Sequence, residues 1–253
     1  MTDPFALSDQ VVLVTGGGGG IGAEISRQLA RAGAMVIVHY HQSMANAEQV
    51  VAEILEEGNL AISVQANLSL ENETRELFEK LNNEGYQLNG LINNAAIMDV
   101  CDLAEMSLGQ WQTMSAANMD SAFLTTRLFV DQITTTGAIV NIASIEGLDP
   151  AQGHSHYAAS KAAMLMFTKA TALELGSRGI RANSVSPGLI EREGIRDQWP
   201  EGVDRWEAKV PTGRMGKPME IAYAVQYLLS PAATWVSGEN LVVDGGMSAT
   251  SHW

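Results

Sequence analysis

The chain has 253 residues, 46% of them hydrophobic and 17% charged, which suits one large α/β domain with a sizeable core and no disordered tail. Its formal net charge of −14 argues against nucleic acid and anionic membrane surfaces as partners, because both select for Lys and Arg. A single cysteine, Cys101, excludes an internal disulfide framework and fits a reducing compartment.

His39, His41, His154, His156 and His252 show no zinc-type spacing with Cys101, so no metal site is expected. The opening MTDPFALSDQ has neither a charged nor an apolar leader region, and no apolar run reaches the ~18 residues of a membrane span. A cytoplasmic location is the expectation.

Val11 to Thr15 is a β-branched run that stops at glycine, the pattern of a buried strand. Five glycines follow, Gly16 to Gly20, then Ile21 and Gly22. Apolar residues at Ile21, Ile25 and Leu29 trace a helical stripe that ends at Gly33. Strand, glycine loop and helix N-terminus in that order make a pyrophosphate site. Backbone N–H groups can approach the phosphates, and the helix dipole favours their charge.

Met35 to Tyr40 reads as the second strand. Its end is where a nucleotide fold reads the ribose 2′ position, and an acid there would accept from NAD hydroxyls. The tip is Tyr40-His41-Gln42-Ser43, without a carboxylate, so NADP(H) is favoured over NAD(H), with His41 and Ser43 as candidate donors to a 2′-phosphate.

The alternation continues with a helix over 44–57, a strand Ala61 to Gln65, a helix over 70–84 and a short strand at Leu91-Ile92 running into Asn93-Asn94-Ala95-Ala96. A long helix is expected over 108–126, with Asn118 near its middle. A strand Ala138 to Ala143 ends at Ser144, and a helix covers 154–178. That helix carries Tyr157 and Lys161, four residues apart and therefore on one face. An ammonium so close to a phenol is expected to lower its pKa from the reference near ~10, so that the tyrosine can exchange a proton near neutral pH.

The chain closes with a strand Ile180 to Ser186, the turn Pro187-Gly188, a helix over 220–229 and a strand Asn240 to Asp244 before Gly245-Gly246. The stretch from Leu189 to Gly213 has no clean periodicity and is expected to be an irregular lid over the site, with a long surface loop as the alternative. Repeated strand–helix pairs with buried strands predict an α/β fold, a doubly wound, Rossmann-type parallel sheet of about seven strands with helices on both faces. No composition break divides residues 1–253, so one domain is expected.

Together these motifs resemble the short-chain dehydrogenase/reductase family from Val11 to Gly246. Thr15 to Gly22, TGGGGGIG, matches the family's TGxxxGxG; NNAA at 93–96 stands for its NNAG; and Tyr157 and Lys161 match its YxxxK. Ser144, Asn118 and the NSVSPG of 183–188 fall where the family has its catalytic serine, catalytic asparagine and nicotinamide-side turn. The resemblance implies an oxidoreductase interconverting a secondary alcohol and a ketone, with a small-molecule substrate that is polyol or sugar-like as readily as a simple ketone.

In that scheme Tyr157 is the general acid or base. Lys161 tunes it and binds the nicotinamide ribose, Ser144 steadies the substrate oxygen, and Asn118 holds a relay water. The resemblance carries cofactor contacts onto Gly16, Gly18, Gly19, Gly20, Ile21, Gly22, Tyr40, His41, Ser43, Asn67, Leu68, Asn94, Ala95, Pro187, Gly188 and Ile190, besides Tyr157 and Lys161. It departs from the family at Asn67, where many relatives have Asp, and at Arg192, where many have a nicotinamide-side threonine.

Substrate walls are expected from 98–101, 145–148, 152–154 and 189–213, with Glu146, His154, Glu193 and Arg196 their polar members, each also readable as loop surface. Relatives commonly assemble as tetramers, so a homo-oligomer, tetramer or dimer, is expected, with Ser251-His252-Trp253 at an interface or frayed. The alternative function is a non-catalytic NAD(P)-binding sensor or scaffold, which would be expected to lack one of Ser144, Tyr157 or Lys161. A nucleotide-sugar epimerase would need a further substrate domain after Gly246.

Overall fold

The computed structural model describes residues 3–249. Its first βα unit is a strand β1 (Val11–Val14) and a helix α1 (Gly20–Arg31), then β2 (Met35–Tyr40), α2 (Met44–Glu56), β3 (Ala61–Gln65) and α3 (Glu71–Asn83). β4 (Gly90–Asn93) leads to α4 (Leu108–Ser115), a wide π turn Ala116–Asp120 and α5 (Ser121–Gln132), and β5 (Gly137–Ile142) leads to α6 (Ser155–Leu175). β6 (Ile180–Pro187), α7 (Ile195–Gln198), α8 (Pro200–Lys209), α9 (Pro218–Leu229) and β7 (Asn240–Val243) complete it.

The strands form one parallel sheet in the order β3-β2-β1-β4-β5-β6-β7. Chain direction across the sheet reverses between β1 and β4, which opens a crevice at their carboxyl ends. Successive strand residues point to opposite faces, and both faces are covered. Val12 and Val14 pack with Ile25 and Leu29 of α1, Val50 and Ile54 of α2, and Ile221 and Val225 of α9. Leu13 packs on the other side with Leu77, Phe78 and Leu81 of α3 and Leu128 and Phe129 of α5. That is why these strands read as continuous apolar runs rather than alternating ones.

Three sequence expectations are corrected. The helix expected over 108–126 is interrupted, because Ser121 N–H reaches five residues back to the Ala116 carbonyl, and it then continues past Thr126 to Gln132. The helix expected to end at Arg178 ends at Leu175 and tightens into a 3₁₀ turn Gly176–Arg178, closed by Gly179 at φ 72°.

The stretch 189–213 is not irregular: it holds α7 and α8, with left-handed Gly194 before the first and Pro200 opening the second. Leu189, Ile195, Val203, Trp206 and Met215 make a small core of their own there, and a Cβ on Gly202 would overlap the Trp199 ring. Tertiary packing, which periodicity cannot report over such short helices, orders this segment.

Among the described residues no helix is long and apolar enough to cross a membrane, and no group of three or more His, Cys, Asp or Glu is placed to hold a metal ion. The expectation for Ser251-His252-Trp253 lies outside the described residues.

Candidate active site

Ser144 follows β5 at the carboxyl edge of the sheet, and its Oγ accepts from the Glu146 N–H at 3.0 Å, opening a 3₁₀ turn over Ile145–Gly147. A Cβ on Gly147 would lie about as close as 2.9 Å to the Lys161 backbone, so glycine lets this turn seat directly against α6. Tyr157 and Lys161 stand on that face, both buried. The three are therefore brought together, Tyr157 and Lys161 on one face as their spacing predicts and Ser144 beside them as the resemblance implies.

Their electrostatics differ from expectation. Burial pushes the Tyr157 phenol up to about 12; a hydrogen bond with Ser144 works against this, and the Glu146 carboxylate reinforces it. Lys161 does not bring the phenol down. Its Nζ lies 5.6 Å from the ring centroid and donates to the Ile142 carbonyl at 2.7 Å. Burial alone pulls Lys161 down to about 8, so its positive charge is weakly held.

Asn118 sits in the π turn with no exposure. Its Oδ1 accepts from Ile97 N–H at 2.9 Å, and its Nδ2 donates to the Ile97 carbonyl at 3.1 Å and Ser160 Oγ at 3.0 Å. The amide clamps the segment after β4 to the helices, leaving no free side-chain atom for a water. A relay water at this residue would rest on its backbone.

The glycine loop is pinned on several sides. Asn94 Nδ2 donates to the Thr15 and Gly16 carbonyls, Thr15 Oγ1 takes the N–H groups of Asn94 and Ala95, and a Cβ on Gly18 would overlap Ala47 of α2. Gly16 and Gly17 do not offer their amides outward: Gly16 N–H donates to His39 Nδ1 at 3.1 Å, and Gly17 N–H donates to the His39 carbonyl at 2.9 Å.

Since a backbone N–H can only donate, His39 Nδ1 is the bare nitrogen and Nε2 carries the hydrogen, which it gives to Ala66 O at 3.0 Å. Burial pulls His39 down to about 4 and keeps it neutral. Sequence reading missed His39 as a loop anchor; its place one residue before the β2 tip was the available signal.

A Cβ on Gly19 or Gly20 would meet nothing within 4 Å, so the loop opens there, beside the first helical amides of α1 at Gly20, Ile21 and Gly22. An open cradle rimmed by unpaired helix N–H groups fits a dinucleotide pyrophosphate.

At the β2 tip Tyr40 is buried in the core, while His41 and Ser43 are exposed at the start of α2, where the Ser43 hydroxyl makes no capping bond. Asn67 Oδ1 accepts from Ser69 N–H, its own N–H donates to Glu73, and Leu68 is buried beside it. Pro187 and Gly188 end β6, with Gly188 under the Trp206 ring and Ile190 bridged to Gly216. In sequence Trp206 is only one of the residues that interrupt the periodicity of 189–213, because the packing of α8 is what brings it over Gly188. Arg192, Glu193 and Arg196 lie in this outer segment; Arg192 is bound by Gln198, and Arg196 pairs with Glu207.

The chain belongs to the short-chain dehydrogenase/reductase family and is an NAD(P)-dependent oxidoreductase: a family model described as enoyl-(acyl carrier protein) reductase matches residues 16–248. It is similar to the 3-oxoacyl-[acyl-carrier-protein] reductase of Synechocystis sp., 37% identical over 247 residues, which cover 96% of this chain and 98% of that one. The cyclopentanol dehydrogenase of Comamonas sp. is 38% identical over 251 residues, again 96% and 98%. Among solved structures, a gluconate 5-dehydrogenase from Burkholderia cenocepacia J2315 in complex with NADP and tartrate aligns with a TM-score of 0.93 at 28% identity, covering 98% of this chain and 99% of that one.

Proposed function

We propose that this oxidoreductase interconverts a ketone and a secondary alcohol on a small molecule, with Ser144, Tyr157, Lys161 and Asn118 as its machinery and NADP(H) as the favoured cofactor. The observation that carries the reading is the seating of Ser144 against Tyr157 and Lys161 at the same sheet edge as the open glycine cradle.

When bound, the nicotinamide supplies or takes up the hydride. In reduction Tyr157 gives its phenolic proton to the substrate oxygen as the carbonyl carbon gains the hydride; in oxidation it takes that proton back. Burial keeps the phenol protonated at neutral pH, the form that ketone reduction consumes. Ser144 Oγ accepts from the Glu146 N–H and shares a hydrogen bond with the Tyr157 phenol, which puts its hydroxyl where a substrate oxygen would meet both groups and have its charge steadied. Lys161 lies one helical turn from Tyr157 and would bind the nicotinamide ribose, and Asn118 fixes the wall behind it. The residues carried over by resemblance, from Gly16 through Ile190, would line the cofactor, Gly16 and Asn94 by shaping the loop.

NADP(H) is favoured because the β2 tip presents no carboxylate while His41 and the uncommitted Ser43 hydroxyl stand at the N-terminus of a 13-residue helix. Exposed Phe123, Met166 and Leu173 on α5 and α6 support assembly with further copies.

The test is nicotinamide absorbance across alcohols, polyols, ketones and sugars with both cofactors. Tyr157→Phe is expected to bind cofactor and lose at least about a hundredfold in turnover; a variant that keeps its rate overturns the assignment.

A further inference from the structure

The mouth of the site beside Tyr157 carries one polar pair that the mechanism above does not use. His154 Nδ1 lies 2.8 Å from Glu146 Oε2, and both side chains are largely buried, at 14% and 18% exposure. The pair is fixed to the reacting groups from two directions. Glu146 gives its N–H to Ser144 Oγ, and the His154 ring meets the Tyr157 ring edge-on with centroids 6.0 Å apart.

Val100 packs close to Gly153, next to His154, with the Asp102 carboxylate further out, and the 98–101 segment is tied to Gly153 through the Cys101 N–H donating to the Gly153 carbonyl at 2.8 Å. His154 is also the residue before α6 but makes no capping bond, so helix stability does not account for an imidazole there.

The chemistry of the pair is directional. A carboxylate only accepts, so Nδ1 carries the hydrogen toward Glu146 and Nε2 is the ring nitrogen left for another partner. A ring nitrogen held at the edge of Tyr157 pairs with a hydroxyl in either protonation state, because a hydroxyl both donates and accepts. The adjacent carboxylate disfavours a substrate that carries its own negative charge.

We propose that Glu146 and His154 form a hydroxyl-recognising subsite, and that the substrate is a neutral polyhydroxylated ketone or alcohol with a hydroxyl next to the reacting carbon. This rests on the dehydrogenase reading above and narrows it. An acyl chain or plain cyclic ketone would leave the pair without its partner, and a polar site built to bind a hydroxyl rejects the analogue that lacks it.

The experiment compares 2-hydroxycyclopentanone with cyclopentanone as a matched pair, reading kcat and KM with NADPH. The selectivity ratio, kcat/KM for the hydroxyketone over kcat/KM for the ketone, is expected to be at least about tenfold in the wild type and carried largely in KM. In His154→Phe, which keeps the edge-on ring and removes both nitrogens, the ratio is expected to fall to near unity. Glu146→Gln, which retains an acceptor for Nδ1 but drops the charge, is expected to give an intermediate ratio. A wild-type ratio near unity, or a ratio unchanged in His154→Phe, overturns the subsite.

A second arm does not depend on turnover. Calorimetric binding of cyclopentane-1,2-diol and cyclopentanol to the Tyr157→Phe protein with NADP present is expected to favour the diol, and the preference should vanish when His154→Phe is added. Equal binding of the two alcohols overturns the subsite. Absence of turnover with any compound of the wider panel, with the diol preference intact, would sink the dehydrogenase reading and leave the subsite standing.

Discussion

The imidazole of His39 accepts the amide hydrogen of Gly16 at 3.1 Å while its other nitrogen donates to Ala66 at 3.0 Å, so one neutral ring ties the glycine loop to the segment after β3. Protonation of Nδ1 would break the first bond, and burial holds the ring near about 4 rather than its ordinary 6.5.

An acid-stability prediction follows from that anchor. Between those two values the unfolded chain binds a proton that the folded chain does not, so stability is present above pH 6.5 and is lost as pH falls toward 4. His39 is expected to account for about 2 kcal/mol of the loss between pH 6.5 and 4.5. Urea melts of wild type and His39→Gln should therefore converge in acid; curves that stay parallel would reject the anchor's neutral state.

Lys161 predicts the opposite end of the pH scale. Its folded value of about 8 lies below the ordinary 10.5, so the buried charge is unfavourable below pH 8 and that cost fades as pH rises to 10.5. Relative to Lys161→Met, the wild type is expected to gain about 2 kcal/mol between pH 7 and 10. Denaturant unfolding at the two pH values reads this directly, and the unpaired Ile142 carbonyl left in the variant adds a cost that does not vary with pH.

Two glycines of one loop should behave differently. A Cβ on Gly22 would overlap the Gly16 carbonyl and the Asn94 amide, so Gly22→Ala is expected to destabilise by at least about 2 kcal/mol. Gly19 has φ −150° and an empty surround, so Gly19→Ala is expected to stay within about 0.5 kcal/mol of wild type. Its methyl would enter the cradle instead, and NADPH affinity measured by fluorescence titration is expected to fall at least about tenfold. Unchanged affinity would place the pyrophosphate elsewhere.

Asn118→Ala is expected to cost about 1–3 kcal/mol, because it removes the partner of both polar groups of Ile97 in a part-buried position. A variant of unchanged stability that merely loses rate would restore a relay role to the side chain.

How much was legible in advance depended on the range of the interaction. β2 was read to the residue because burial on both faces leaves a run that is apolar but for His39, bounded by Gly33 and by the polar tip at His41. Ser144, Tyr157 and Lys161 were legible because a strand end and an i,i+4 pair are local geometry. The π turn at Ala116–Asp120 was not, since Asn118 is paid for by Ile97, 21 residues away. Helices α7 and α8 escaped because a hydrophobic cluster of their own, not periodicity, orders them.

The sequence by itself determined the alternation of strands and helices, the glycine loop ahead of a helix and the placing of Tyr157 and Lys161 on one helix face, all consequences of local pattern. Only the tertiary structure decided their protonation, the anchor at His39 and the pairing of Glu146 with His154. Burial and distance set those, and both depend on which distant segments are packed together.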